Sequence, residues 1–359
     1  MRIKVLTNLP APYRQPIWNY LAEKHQLHII FLLGENNWRE WKIDDDRKWS
    51  FEFLNLKMWK FKEIELIPWP FGSKKILENC DLLIVSGWHT PLYALTTLLA
   101  KKHKVKIIQF YESFEGNSAF KSSTLRLLKA KILGKADRIV TISNLSESYL
   151  KRMGISDKKI HKIFNPIQYE NWIENLAVHE RNFERCSFLF VGQLIDRKGV
   201  EQLILAFDNL EDIDYELDIV GDGPLRNELI SIAARAKKSG SIRFFGHLVG
   251  KELYKRYANN NILVLPSAEE VWGLVANEAL ASGMHLVVSA QCGVADFVKD
   301  MEGVTIYEDN LNGLVAAMKS ATDKYRSRVK TPEISKYDCR QFARELEKLI
   351  DNIEIENSP

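Results

Sequence analysis

The chain has 359 residues, 46% of them hydrophobic and 27% charged, with a formal net charge of +3. That is a globular composition, too long for one small core at roughly 100–200 residues per domain, so two domains are expected. The small net charge gives no basis for nucleic-acid binding. Cys80, Cys186, Cys292 and Cys339 are scattered without a CxxC pair and indicate neither a zinc site nor a disulfide framework. They read as reduced, mostly packed cysteines of a cytoplasmic protein. No run of about 18 apolar residues is present to span a membrane.

The opening MRIKVLTNLPAPY lacks a long apolar stretch and a small-residue cleavage site, and reads as a first strand rather than a signal peptide. Residues 3–7 form that strand, 8–16 (NLPAPYRQP) a proline-stiffened loop, 17–24 a helix and 28–33 the next strand. Strand, loop, helix, strand opens a parallel α/β sheet, whose ligands gather at the C-terminal strand ends. The loop has no GxGxxG, so no dinucleotide site is expected. Tyr13 and Arg14 at its tip are candidates to meet a substrate, the alternative being that they pack against the loop.

Residues 35–62 are rich in Trp, Lys and Asp and read irregularly, as an antiparallel excursion or an acceptor-side flap. A buried strand at 81–85 runs into SGWHTP and a helix at 92–100, which puts His89 at a strand end. It is either a functional histidine or a cap for that helix. The cluster KKHKVK (101–106) leads to a strand at 107–110 and the loop YESFEGNSAFKS. The helix at 124–133 sets Arg126, Lys129 and Lys131 beside Leu125, Leu127, Leu128, Ile132 and Leu133. Such a basic amphipathic helix lies on an anionic membrane surface, or has one face in the core and one in water.

A strand at 137–143, a helix to about 153 and a strand at 159–163 complete the first half. Between 165 and 185 the apolar periodicity breaks down, and the domain linker is placed there. The pattern then restarts. SFLFVGQL is a strand, IDRKG a loop and 200–210 a helix; 215–220 runs into GDGP, 242–245 into GHLVG, and 262–265 into PSAEEVWG. Two similar α/β halves imply a cleft between them, with strand ends of both facing inward. Near the C-terminus, 336–353 is a polar helix with Phe342, Leu346 and Ile350 at a spacing of four, a packing face. The last residues, IENSP, are expected to fray.

The stretch 266–288, PSAEEVWGLVANEALASGMHLVV, carries the densest chemistry. Gly273 stands just before a helix whose free N–H groups and positive end suit an anion such as a diphosphate. Glu270 precedes that helix and Glu278 lies within it, so the two carboxylates flank the anion site. Alternatively, both are solvated glutamates. Arg197 and Lys198, next to Gly199 at another helix start, can neutralise a diphosphate. GDGP permits a sharp turn near a ligand, and GHLVG offers backbone groups to the edge of a base.

With these residues together, the chain resembles the retaining glycosyltransferases of family 4, which have the two-Rossmann-domain architecture called GT-B. The resemblance covers nearly the whole chain and is strongest over 188–298. Its most specific part is E-x7-E, met by Glu270 and Glu278 in EVWGLVANEALASG, supported by VGQLIDRKG, VGDGP, FFGHLVG and VLPS. It implies an acceptor-binding domain at 1–168 and a nucleotide-sugar domain at 169–337, with a helix near 338–355 packing back on the first.

The resemblance also implies site roles. Glu278 would hold the ribose hydroxyls and Glu270 would face the transferred sugar. Lys198 and the amides of Gly273, Leu274 and Val275 would bind the diphosphate, with Arg197 assisting. His247 and Leu248 would lie beside the base, His89 would reach the donor sugar and the reaction centre as a catalytic residue with Glu270, and the loop of Tyr13 and Arg14 would approach from the acceptor side. Two departures stand out: Gln193 occupies a position where many members have Arg, and the first loop lacks the usual glycine pair.

The implied reaction passes a sugar from a nucleoside diphosphate to a glycan or lipid-linked acceptor at the cytoplasmic membrane face, with neither cofactor nor metal. A nucleotide-sugar 2-epimerase or a non-catalytic nucleotide-sugar-binding subunit are the alternatives, and a pyridoxal-phosphate phosphorylase is disfavoured by the short chain.

Overall fold

The computed structural model describes residues 1–34, 43–57, 59–61, 64–66, 71–114, 123–176, 186–211, 214–308 and 310–355. The chain divides into two compact units, Met1–Phe164 with Cys339–Pro359, and Asn165–Asp338.

The strands in chain order are β1 (Arg2–Thr7), β2 (Gln26–Phe31), β3 (Ser50–Phe53), the short β4 (Trp59–Phe61) and β5 (Ile64–Leu66), β6 (Leu82–Val85), β7 (Lys106–Phe110), β8 (Arg138–Thr141), β9 (Ile160–Lys162), β10 (Ser187–Val191), β11 (Glu216–Val220), β12 (Ile242–Phe244), β13 (Ile262–Leu265), β14 (His285–Ser289) and β15 (Val304–Tyr307). In the first unit, seven of them form one parallel sheet in the order β3-β2-β1-β6-β7-β8-β9. The run Leu82, Leu83, Ile84, Val85 is wholly buried, as a strand covered on both faces must be. Helix Cys339–Ile355 buries Phe342, Leu346 and Ile350 completely and packs beside helix Gln15–Ala22. Phe342 meets Phe110 and Phe164 edge-on.

The second unit is a six-stranded parallel sheet in the order β12-β11-β10-β13-β14-β15. Its numbering reverses between β10 and β13. The first unit reverses in the same way between β1 and β6. Such a reversal makes the flanking loops diverge to opposite faces and leaves a crevice at the C-terminal strand ends, where doubly wound sheets bind ligands.

Two expectations need correction, and a third, left open, is narrowed. Residues 165–185 are not simply a linker, because helix Tyr169–Leu176 lies there; 177–185 lie outside the described residues. One large anchor, Trp172, replaces the periodic stripe that would have revealed this helix. Trp172 is buried edge-on to Tyr254 and Tyr257, and its Nε1 donates to Ser282 Oγ at 2.6 Å.

Within 35–62, residues 35–42 lie outside the described residues. β3 joins the main sheet parallel to β2, and β4 pairs antiparallel with β5. The β4–β5 pair, which reaches just past 62, agrees with the antiparallel excursion, while β3 adds a parallel edge strand.

The second correction concerns helix Ser123–Leu133. Its basic residues are not all on a solvated face. Lys129 is 2% exposed, its ammonium 5.1, 4.9 and 4.7 Å from the ring centres of Trp88, Tyr111 and Tyr149, while Leu127 is 71% exposed. Cation–π attraction to the three rings offsets part of the cost of burying the charge. Leu127 and Leu128 go outward instead.

Candidate functional site

At the reversal point of the second unit, the loops after β10 and β13 are pinned to each other. Gly199 has φ +67°, and a Cβ there would come within 2.2 Å of the Pro266 carbonyl oxygen, so only glycine permits the approach. The Ala268 N–H donates to the Arg197 carbonyl at 2.9 Å. This clasp brings Lys198 onto Glu270, with the ammonium bonded to the carboxylate and each side chain 14% exposed. Arg197 Nη1 lies 3.8 Å from the same carboxylate oxygen and donates to the Glu269 carbonyl at 3.1 Å. The loop after β14 closes the third side, where the Gly293 N–H donates to the Glu270 carbonyl at 2.9 Å.

Helix Leu274–Ala281 starts immediately beyond. Gly273, at φ +101° and against Leu265, takes the left-handed turn that aims the helix, and no side chain caps its first amides. Those N–H groups and the positive helix end favour an anion. Trp272 Nε1 donates to Asn277 Oδ1 at 2.9 Å, and Asn277 Nδ2 to the Asn165 carbonyl at 2.8 Å, which fixes the turn from inside. Gly273, Leu274 and Val275 thus stand together at the helix start.

One turn further, Glu278 is held by the Tyr257 hydroxyl, which donates to Oε2 at 2.5 Å. Burial raises the Glu278 pKa above the ordinary carboxylate value, and the Tyr257 bond opposes that rise. Tyr257 is itself fully buried under Trp172. Arg328 ties the end of helix Gly250–Asn259, which carries Tyr257, to that of helix Leu274–Ala281, donating to the carbonyls of Tyr257 (2.6 Å), Ala258 (2.8 Å) and Asn260 (2.7 Å) on one side and of Ser282 on the other. Neither Glu270 nor Glu278 is the solvated glutamate of the alternative reading.

Lys198, Arg197 and Glu270 are therefore one cluster, with Glu278 on the adjoining helix. His247, exposed, and Leu248, half-buried, follow edge strand β12. That strand is two positions from β10, about 10 Å at ordinary strand spacing. Their loop is tied inward by the Gly221 N–H, which donates to the Gly246 carbonyl at 2.7 Å. Gln193 is exposed on the β10 loop.

In the first unit, the reversal between β1 and β6 opens a cavity of about 220 Å³ whose lining includes Tyr13, Arg14, Trp88, His89, Tyr111 and Glu112. Arg14 is buried, lies over the Tyr13, Phe110 and Phe342 rings, and is bonded to Glu112. It packs against these rings and also lines the cavity. His89 does not cap the next helix, since Thr90 Oγ1 accepts from the Tyr93 N–H at 3.2 Å. Gly87 leaves room for the His89 ring, whose Cε1 would lie 3.0 Å from a Cβ there. Burial lowers the His89 pKa and so disfavours the charged ring. Buried Gln109 holds the loop by donating to the carbonyls of Val85 (2.9 Å) and Gly87.

Family models match the two halves in succession. "Glycosyltransferase Family 4" matches residues 18–171 and "Glycosyl transferases group 1" matches 173–338. The chain belongs to glycosyltransferase family 4. An uncharacterised glycosyltransferase of Methanocaldococcus jannaschii is 31% identical over 185 residues, 48% of this chain and 47% of that protein, so the match spans about half of the relative's length.

Solved structures share the GT-B fold at low identity. The Anabaena protein HepE in complex with UDP has a TM-score of 0.75 at 13% identity, covering 98% of this chain and 100% of that one. A lipopolysaccharide outer core galactosyltransferase has a TM-score of 0.74 at 15% identity, covering 98% and 99%.

Sequence reading missed Tyr257, Glu112 and the loop around Gly293. Tyr257 sits 21 residues before its partner Glu278, on a different helix, and no local spacing connects them. Glu112 was visible only as one acid in YESFEG.

Proposed function

We propose that this protein transfers a sugar from a nucleoside diphosphate to an acceptor hydroxyl with retention at the anomeric carbon. The observation that carries the reading is the convergence of Lys198 and Arg197 on Glu270 beside the uncapped start of helix Leu274–Ala281. The diphosphate sits on the amides of Gly273, Leu274 and Val275. Lys198 and Arg197 supply the positive charge that Gln193 does not. Glu278, set by Tyr257, accepts hydrogen bonds from the ribose hydroxyls, and His247 and Leu248 flank the base.

The bond from the anomeric carbon to the diphosphate oxygen breaks, and the electron pair leaves with the diphosphate. The acceptor oxygen forms the new bond on the same face, and its proton passes to the departing phosphate oxygen. The cations lower the energy of that leaving group, and Glu270 stabilises the positive charge growing on the sugar ring. The reading assigns no metal to this role, because two side-chain cations and a helix end already serve the diphosphate.

The first unit holds the acceptor, a glycan or lipid-linked glycan, with Tyr13 and Arg14 on its side, and His89 serves the donor sugar and the reaction centre. Peripheral attachment to the inner face of a membrane runs through Leu127 and Leu128, exposed between Arg126 and Lys131. Among the described residues no helix is long and apolar enough to cross a membrane.

A thermal-shift screen of nucleoside diphosphates and their sugars identifies the donor. Product release that requires an acceptor separates transfer from epimerisation, and absence of turnover with every acceptor points to a binding subunit.

A further inference from the structure

The cavity of the first unit has a composition that selects its ligand. Its volume, about 220 Å³, is below the ~300–1,000 Å³ of a typical small-molecule site and suits a single ring. Trp18, Trp88, Phe110 and Tyr111 line it with aromatic surface. Trp88 and Tyr111 are also braced from behind by the Lys129 ammonium. Aromatic faces carry partial negative charge and attract weakly positive C–H groups.

The charges of the described lining residues cancel. Arg14 is bonded to Glu112, and burial disfavours the charged form of His89. An anion approaching Arg14 meets the Glu112 carboxylate at the same place, so a phosphate gains little there.

Two of the lining residues carry a buried polar atom, Arg14 Nη1 and the Tyr111 hydroxyl, with no hydrogen-bond partner among the described residues. Buried polar groups left unpaired are costly, and such orphans mark a place for a ligand. Sugar hydroxyls donate and accept at once. One accepts from the Arg14 guanidinium while another donates to the Glu112 carboxylate beside it.

We propose that this cavity binds one uncharged sugar ring, and so that the acceptor presents a neutral sugar there rather than a lipid phosphate. Its role as acceptor site rests on the transferase reading; the binding itself does not.

Saturation-transfer NMR on the full chain tests it, using methyl glycosides of glucose, galactose, mannose and N-acetylglucosamine against methyl phosphate. At least one glycoside is expected to receive saturation, and methyl phosphate none. Glu112→Gln removes a charged hydrogen-bond partner and weakens the glycoside about tenfold, while methyl phosphate begins to bind the unmasked Arg14. Trp88→Ala also weakens the glycoside, which keeps the test valid if the Gln variant does not fold. Binding of methyl phosphate to the unaltered protein, no response from any glycoside, or a glycoside response unmoved by both variants overturns the proposal. Nucleoside diphosphate titrated into the same samples reads the second unit separately. Its failure with glycoside binding intact overturns the donor reading alone.

Discussion

Lys198 bonds directly to Glu270, with only 14% of each side chain exposed, at the point where the strand order of the second unit reverses. The cation proposed to serve the diphosphate is thus bonded to the carboxylate proposed to face the sugar. On that proposal a diphosphate competes with Glu270 for Lys198. Lys198→Met should weaken nucleoside diphosphate binding and lower kcat by about 10²–10³-fold, the loss typical of one electrostatic stabiliser. Glu270→Gln should separate the two effects: it frees Lys198, so binding is kept or tightened while kcat falls. Steady-state kinetics with parallel calorimetry reads this split. Equal losses of binding in both variants would contradict it.

Tyr257 and Glu278 predict a second pattern. Tyr257→Phe removes the bond at Oε2, the interaction that opposes burial, and drives the Glu278 pKa still higher. The carboxyl then takes up a proton nearer neutrality and accepts ribose hydroxyls less well. Nucleoside diphosphate affinity should drop about tenfold, and recover as pH is raised, in titrations from pH 6 to 9. A pH-independent loss would mean that Tyr257 acts only through packing.

Lys129 gives the clearest effect of pH on stability. Burial pushes its pKa down to about 8 from 10.5. Below pH 8 both folded and unfolded chains hold the proton, and the cost of burying the charge is present in full. Between pH 8 and 10.5 the unfolded chain binds more protons, so this contribution to stability rises with pH. Denaturant unfolding of the unaltered protein and Lys129→Met should show a difference that shifts by ~3 kcal/mol in favour of the former over that range, at ~1.4 kcal/mol per unit. A difference that does not change with pH would show that the aromatic faces hold the ammonium charged throughout.

Leu127 and Leu128 carry the proposal of membrane attachment. Each leucine inserted contributes about 1.5–3 kcal/mol when fully buried. Leu127→Glu with Leu128→Glu should abolish flotation with vesicles of anionic lipid, while nucleoside diphosphate binding stays unchanged. Flotation that persists in the double variant would remove this helix from the interface.

Much of the architecture was legible because buried parallel strands such as Leu82–Val85 and Ile262–Leu265 are unbroken apolar runs ending in glycine-bearing loops. Lys198, Glu270 and Glu278 could be singled out because each follows such a strand end near a glycine and a helix start. Their roles came from the resemblance to family 4, and the contact between Lys198 and Glu270 was not visible in the sequence. Tyr257 could not be singled out, because its role depends on how helix Gly250–Asn259 lies against helix Leu274–Ala281. Helix Tyr169–Leu176 was hidden by resting on one tryptophan. Lys129 was misplaced because composition assigns a lysine to water, whereas three aromatic rings from distant parts of the chain make an interior site for it. Glu112 gained meaning only once Arg14, 98 residues earlier, was seen beside it.

The central claim is that the second unit holds a nucleoside diphosphate between Lys198 and Glu278. Calorimetric titration with the nucleoside diphosphate that stabilises the protein most tests it directly, on the unaltered chain, Lys198→Met and Glu278→Gln. The account predicts one site per chain, weakened about tenfold or more by each substitution. Affinity unchanged in both variants, or no nucleoside diphosphate bound at all, would contradict it.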